Sequence, residues 1–136
     1  MPDIGKAETI MEDDRVGAFE ESLWTASPEH SAESIDAACL MALPAPPHVF
    51  SGEESIKAVQ ATPRWSAVEL SQRRVSRPEE GLIVIAYHAR ASRGAEAYEA
   101  HCTSVYRRLA HDDWKVVQHS QLPPLTQAAK ASEAGV

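Results

Sequence analysis

The segment DDWKVVQHSQLPP at residues 112–124 places two chemically capable side chains near the end of an apolar strand. Its alternating pattern predicts a β-strand that the two prolines end. His119 and Gln121 are two residues apart, so they share one side of that strand. An imidazole titrates near neutral pH and can take up and return a proton. The opposite row, which begins with Trp114 and Val116, is no more plainly apolar, so the pattern alone leaves the inward side open.

Three helices are predicted ahead of the strands that would position these residues. Thr9 and Glu12 fit a capping box for a helix that runs to about Trp24. Its buried stripe is expected at Val16, Phe19 and Leu23, and its wet side at Asp13, Asp14, Glu20 and Glu21. Ser27 and Pro28 begin a second helix, to about Ala37, and a capping box of Ser51 with Glu54 begins a third, which ends before Pro63.

Two short strands are predicted between the second and third helices, and four longer ones after the third. The apolar run at 38–44, stopped by proline, predicts a strand at a sheet edge, and Val49 and Phe50 fall in a brief second strand. From Trp65 onward the pattern alternates, which predicts strands at 65–75, 82–92, 97–109 and 114–122 joined by connectors short enough for hairpins. Helices first and an antiparallel meander afterwards indicate an α+β fold with the helices on one face of a curved sheet.

The charges in the 97–109 strand indicate which of its rows faces the helices. Glu99 and Arg107 belong in solvent, so Cys102 and Ser104 on the alternate row face inward. None of the inward strand rows contains Asp or Glu. An apolar streak is expected on the other, convex face and predicts a homodimer through it, with contacts from Val84, Val105, Trp114 and Val116.

Composition limits the classes of function. With 136 residues, the chain is predicted to form one domain over 1–124, followed by a flexible tail at 125–136. Its net charge of −7 disfavours a nucleic-acid-binding surface. No run is apolar and long enough to span a membrane, and no secretion signal is apparent. With two cysteines the chain fits free thiols in a cytoplasmic setting. No ligand pair has zinc-site spacing, so neither a metal nor a cofactor is predicted.

The order of four motifs resembles the SnoaL-like, nuclear transport factor 2-like superfamily. They are TPRWSAVEL, IAYHARASRG, YEAHCTSVYRR and DDWKVVQHSQLPP, and they are more narrowly similar to its domain-of-unknown-function 4440 branch. The resemblance covers about residues 38–124. It implies a cone in which three helices and a strongly bent antiparallel sheet enclose a pocket, commonly in a dimer. It also implies that the last strand points His119 and Gln121 into that pocket.

A pocket wall tolerates such polar groups because a ligand or water can satisfy them. The expected pocket residues are Trp24, Phe50, Trp65, Tyr87, Cys102, Ser104, His119 and Gln121. Isomerases and cyclases of the superfamily use an inward carboxylate, and the predicted inward rows lack one. If the protein is an enzyme, His119 would shuttle a proton and Tyr87 would donate a hydrogen bond to an enolate.

Two functional interpretations stay open, with a third behind them. The first is a small-molecule-binding domain with an apolar pocket and a His/Gln polar end, without assigned chemistry. The second is a cofactor-free isomerase, dehydratase or cyclase acting on a small polyketide- or steroid-like carbonyl compound. The third is a dimeric assembly module without a ligand. An enzyme is expected to show a sizeable cavity in which His119 lies within bonding range of another titratable group.

Overall fold

The computed structural model describes residues 12–124. The predicted cap at Thr9 and the predicted tail at 125–136 lie outside the described residues. The helices are α1 (Asp13–Thr25), α2 (Pro28–Ser34) and α3 (Gly52–Ala61). The strands are β1 (Ile35–Ala42), β2 (Val49–Ser51), β3 (Ala67–Glu79), β4 (Leu82–Arg93), β5 (Glu96–Ala110) and β6 (Asp113–Leu122). Within residues 12–124, no helix has the length and apolar character needed to cross a membrane.

The six strands form one mostly antiparallel sheet in the order β2-β1-β6-β5-β4-β3. The predicted hairpins from β3 to β6 are confirmed, because each of these strands pairs antiparallel with the next. β1 pairs parallel with β6 and antiparallel with β2. The prediction of β1 as an edge strand is therefore wrong, since β2 covers its free side. Helices packed on this sheet confirm the predicted α+β fold class.

Two of the helix starts follow the predicted caps. The Ser27 side chain accepts a hydrogen bond from the His30 amide at the start of α2. At the start of α3, Ser51 and Glu54 exchange both bonds of a capping box, at 3.1 and 2.9 Å. These reciprocal bonds satisfy amides that a helix start otherwise leaves unpaired. The start of α3 is thereby fixed, and the helix packs against β1.

A bulge in β6 brings more side chains inward than simple alternation allows. Val105 pairs with Gln118 while Tyr106 pairs with Val116, so Val117 is an extra residue between two pairs. As a result Trp114 and Val116 face inward on one side of the bulge, and His119 does so on the other. The prediction that Trp114 and Val116 lie on the convex face is wrong, because they are only 6% and 0% exposed.

The buried stripe of α1 contains a carboxylate. Val16, Glu20 and Trp24 are all buried, and Glu20 has no exposed surface. The prediction that Glu20 lies on the wet side is wrong. The spacing carries the signal that would have revealed it, because Glu20 is four residues from both Val16 and Trp24 and so shares their face.

Candidate functional site

A cavity of about 240 Å³ lies between the helices and the inner face of the sheet. Its wall is mostly apolar, and α1, α2 and α3 contribute to it together with β1 and β6. The predicted pocket residues that line it are Trp24, Phe50, Trp65, His119 and Gln121. His119 and Gln121 supply neighbouring polar groups on a wall that is otherwise largely apolar. The arrangement suits a compact apolar molecule with a polar group directed at β6.

Three other predicted pocket residues lie behind this wall. Tyr87, Cys102 and Ser104 are buried, at 3%, 3% and 0% exposure, and none of them lines the cavity. Burial, together with the charge of Glu20, raises the pKa of the Cys102 thiol to about 12. A thiol with such a pKa is a poor nucleophile at neutral pH. Ser104 and Tyr87 instead contact the buried carboxylate of α1.

Glu20 is the candidate site residue that the sequence interpretation did not include. Its carboxylate accepts hydrogen bonds from the hydroxyls of Tyr87 at 2.6 Å, Ser104 and Tyr106. The Nδ1 atom of His119 lies 3.4 Å from Glu20 Oε1. The inward carboxylate that the strand rows lack is therefore supplied by a helix. A buried carboxylate with this many donors is held in one position.

The hydrogen bonds around His119 have a consistent direction. Tyr98 donates to Gln121 Oε1 at 2.9 Å, which turns the Gln121 amide nitrogen toward His119 Nε2 at 3.1 Å. An amide nitrogen only donates, so Nε2 accepts and the imidazole proton is on Nδ1. Nδ1 then donates to Ser104 Oγ at 2.7 Å, and Ser104 donates to Glu20. The side of the imidazole at the Gln121 end thus carries an unprotonated nitrogen.

The environment keeps Glu20 ionised. Burial alone would raise its pKa, but hydrogen bonding from the adjacent His119 imidazole and from the Ser104 and Tyr106 hydroxyls outweighs burial and lowers the pKa below the usual 4.5. The tyrosines respond in the opposite sense. Burial and the adjacent carboxylate raise the pKa values of Tyr87 and Tyr106 far above their usual range. Both phenols therefore act as neutral donors to a charged acceptor.

Trp65 and Arg64 of the cavity wall are held in place by contacts with other residues. Trp65 stacks on Tyr98 with ring centroids 5.8 Å apart, and the guanidinium of Arg93 lies 4.2 Å from the centre of the Trp65 ring. Arg64 also lines the cavity, but its guanidinium donates to the backbone carbonyls of Leu23 and Ala26 at the end of α1. This arginine therefore anchors α1 to the segment before β3.

The remaining histidines of the sheet do not join this site. His88 and His101 pair across β4 and β5 on the outer face, with ring centroids 4.9 Å apart. His88 also bonds Glu99 at 2.9 Å. In the part of the chain that the structure describes, no group of three or more His, Cys, Asp or Glu side chains could hold a metal ion.

Solved structures with the same architecture identify the fold. A candidate ketosteroid isomerase from Parabacteroides distasonis matches with a TM-score of 0.71 and 17% identity, over 86% of this chain and 96% of that one. A nuclear transport factor 2-like protein from Cytophaga hutchinsonii matches with a TM-score of 0.68 and 15% identity, over 85% of this chain and 100% of the other. This chain has the nuclear transport factor 2-like fold.

A third structure extends the comparison to another organism. It is a nuclear transport factor 2-like protein of unknown function in nutrient uptake from Rhodospirillum rubrum, with a TM-score of 0.65 and 18% identity over 83% of this chain and 95% of that one. No protein-family model matches the sequence, and no curated protein matches it significantly. The solved structures thus confirm the fold that the resemblance implies. Membership of the superfamily and of its domain-of-unknown-function 4440 branch stays a prediction.

Proposed function

We propose that the protein binds a compact apolar carbonyl compound in the cavity and moves a proton of that compound through His119. One observation carries the proposal. His119 lines the cavity, and the fully buried Glu20 carboxylate lies 3.4 Å behind its Nδ1 atom. A histidine backed by a carboxylate is an oriented proton acceptor, because the carboxylate stabilises the imidazolium that forms.

The proposed reaction needs no co-reactant. His119 Nε2 takes a proton from the carbon next to the carbonyl, and the electrons of that C–H bond form an enolate with its charge on oxygen. For this transfer the Gln121 amide turns its N–H from His119 Nε2 to the substrate oxygen, which frees the Nε2 lone pair and stabilises the enolate. The proton then returns from Nε2 to the same or another carbon, which gives exchange or isomerisation.

Tyr87 has a different proposed role from the one that the sequence suggested. Its hydroxyl hydrogen is committed to Glu20, and its oxygen accepts a bond from the indole nitrogen of Trp24 at 3.1 Å. With neither bond directed into the cavity, Tyr87 is assigned to holding Glu20. Gln121 takes its place as the donor to the substrate oxygen.

The cavity volume restricts the size of the substrate. An apolar cavity of about 150 Å³ binds benzene, and pockets for drug-sized ligands begin at about 300 Å³. The volume of about 240 Å³ lies between them and favours a molecule with one or two rings over a four-ring steroid or polyketide. The name of the Parabacteroides distasonis neighbour supports only the reaction class, isomerisation of a carbonyl compound.

The order of the four motifs quoted from the sequence supports the proposal that the chain belongs to the domain-of-unknown-function 4440 branch.

Binding is tested with acetophenone, whose methyl group is its only enolisable position. We expect the wild-type protein to bind it and His119→Ala to bind it about tenfold more weakly, because the polar end of the cavity is lost. His101→Ala, which changes a histidine on the outer face, is the matched control and should bind like wild type. If wild type, His119→Ala and His101→Ala all bound acetophenone with equal affinity, the cavity at His119 would not be the binding site. Binding without deuterium uptake by the methyl group in D₂O would leave a binding domain and remove the proposed chemistry.

A further inference from the structure

The cavity wall contains a buried hydroxyl without a protein partner. Ser31 on α2 is 1% exposed and lines the cavity. Within residues 12–124, its Oγ atom has no hydrogen-bond partner. A buried hydroxyl that has lost water and gained no partner is costly. An orphaned donor in a cavity wall is satisfied when a bound molecule presents a polar atom to it.

A second buried serine in the same wall has a hydroxyl that forms a hydrogen bond within the protein. Ser55 on α3 is 2% exposed and also lines the cavity, but its Oγ donates to the Gly52 carbonyl at 2.8 Å. Ser55 therefore has a structural role at the start of α3. Ser31 has the same chemistry and burial without that local bond.

We propose that Ser31 is a specificity-determining residue that bonds a second oxygen function of the substrate, distinct from the carbonyl held at His119 and Gln121. The Ser31 hydroxyl lies on α2 and the His119 and Gln121 side chains lie on β6. The rest of the cavity wall is mostly apolar. The preferred ligand is then a small ring compound that carries a carbonyl at one position and a hydroxyl or second carbonyl at another. This inference rests on the proposed function, because it presumes that the cavity binds a carbonyl compound.

The test uses titration calorimetry to compare acetophenone with its three ring-hydroxylated derivatives, 2′-, 3′- and 4′-hydroxyacetophenone. We expect wild-type protein to bind at least one hydroxyacetophenone about tenfold more tightly than acetophenone, as for one bond to an unpaired buried hydroxyl. Ser31→Ala should abolish that preference, so that acetophenone and its hydroxylated derivatives bind this variant with equal affinity. Ser55→Ala should keep the preference, which makes it the matched control.

Thermal unfolding without ligand gives an independent readout. Ser31→Ala should unfold at the wild-type temperature or above, because it removes an unsatisfied polar group. Ser55→Ala should unfold about 4 °C lower, because it loses a formed hydrogen bond. Two outcomes would overturn the role of Ser31 alone. One is a preference for a hydroxylated compound that survives Ser31→Ala. The other is wild-type protein that binds acetophenone, with an affinity that falls in His119→Ala, but shows no preference for any hydroxylated compound. Failure of every compound to bind would overturn the proposed function together with it.

Discussion

At the scale of single residues, the position of Glu20 connects stability to the candidate chemistry. Its carboxylate accepts bonds from hydroxyls on β4 and β5 and lies beside His119, so it is both buried and charged. Burying a charge is tolerated only where hydrogen-bond donors compensate for the lost water. Removing the charge should therefore affect the fold and the imidazole together.

We expect Glu20→Gln to destabilise the protein by about 3 kcal/mol at neutral pH, because it removes the charged acceptor of three buried hydroxyl groups. The pKa of Glu20 is lowered on folding, so its contribution is present above the ordinary value of 4.5 and is lost as pH falls through the folded value. The stability difference between wild type and variant should accordingly shrink below pH 4.5. Urea unfolding across this range measures it, and a difference that stayed constant would show that Glu20 is not charged in the fold.

Tyr87→Phe distinguishes support of Glu20 from direct contact with substrate. The substitution removes one donor to Glu20 and leaves the Trp24 indole N–H without its acceptor. We expect a loss of about 2 kcal/mol in unfolding free energy. Acetophenone affinity should stay close to the wild-type value, since Tyr87 does not line the cavity. A large loss of affinity at unchanged stability would instead return Tyr87 to the role of a substrate contact.

At the scale of elements, local signals in the sequence predict the helix caps and the hairpins. Tertiary packing decides the bulge in β6 and the burial of Glu20. Ser27 and Ser51 fix helix starts through bonds within three residues, so the sequence alone reveals them. The extra residue Val117 depends on pairing with β5, which alternation within β6 does not encode. The sequence pattern misplaces Glu20 because a charged residue usually marks the exposed side of a helix, whereas its spacing puts it on the face of Val16 and Trp24.

The α3 cap gives a prediction at this scale. Ser51→Ala removes the side-chain acceptor for the Glu54 amide and should cost about 1 kcal/mol of unfolding free energy. Because Ser55, Ala58 and Val59 of α3 line the cavity, acetophenone affinity should fall modestly as well. Chemical denaturation measures the first effect, and Gln60→Ala, a change at an exposed position of α3, is the control. Equal stability of Ser51→Ala and wild type would contradict the importance of the capping box.

At the scale of the whole molecule, the outer face of the sheet is the proposed dimer surface. Val84 and Val105 pair there on adjacent strands and are half-buried. Leu40, opposite Gln118 in the β1–β6 pairing, is 59% exposed, and Leu122 at the end of β6 is 63% exposed. Trp114 and Val116 do not contribute, since both face inward. Leu40 and Leu122 therefore replace Trp114 and Val116 in the proposed surface.

We expect a homodimer at micromolar concentration through this face, with Val105→Asp shifting it toward monomer because a charge is buried without a partner. Gln60→Asp, on the exposed side of α3, should leave the dimer intact. Size-exclusion chromatography with light scattering measures both variants. A wild-type monomer, or a Val105→Asp dimer of unchanged stability, would exclude this face as the interface.

The most direct test of the account is deuterium exchange into the methyl group of acetophenone, followed by NMR in D₂O. The account predicts that wild-type protein accelerates exchange, that His119→Ala abolishes the acceleration, and that Glu20→Gln reduces it at least tenfold because the imidazolium loses its carboxylate. His101→Ala should exchange at the wild-type rate. Acceleration that persists in His119→Ala, or none in wild-type protein with acetophenone bound, would contradict proton transfer through His119.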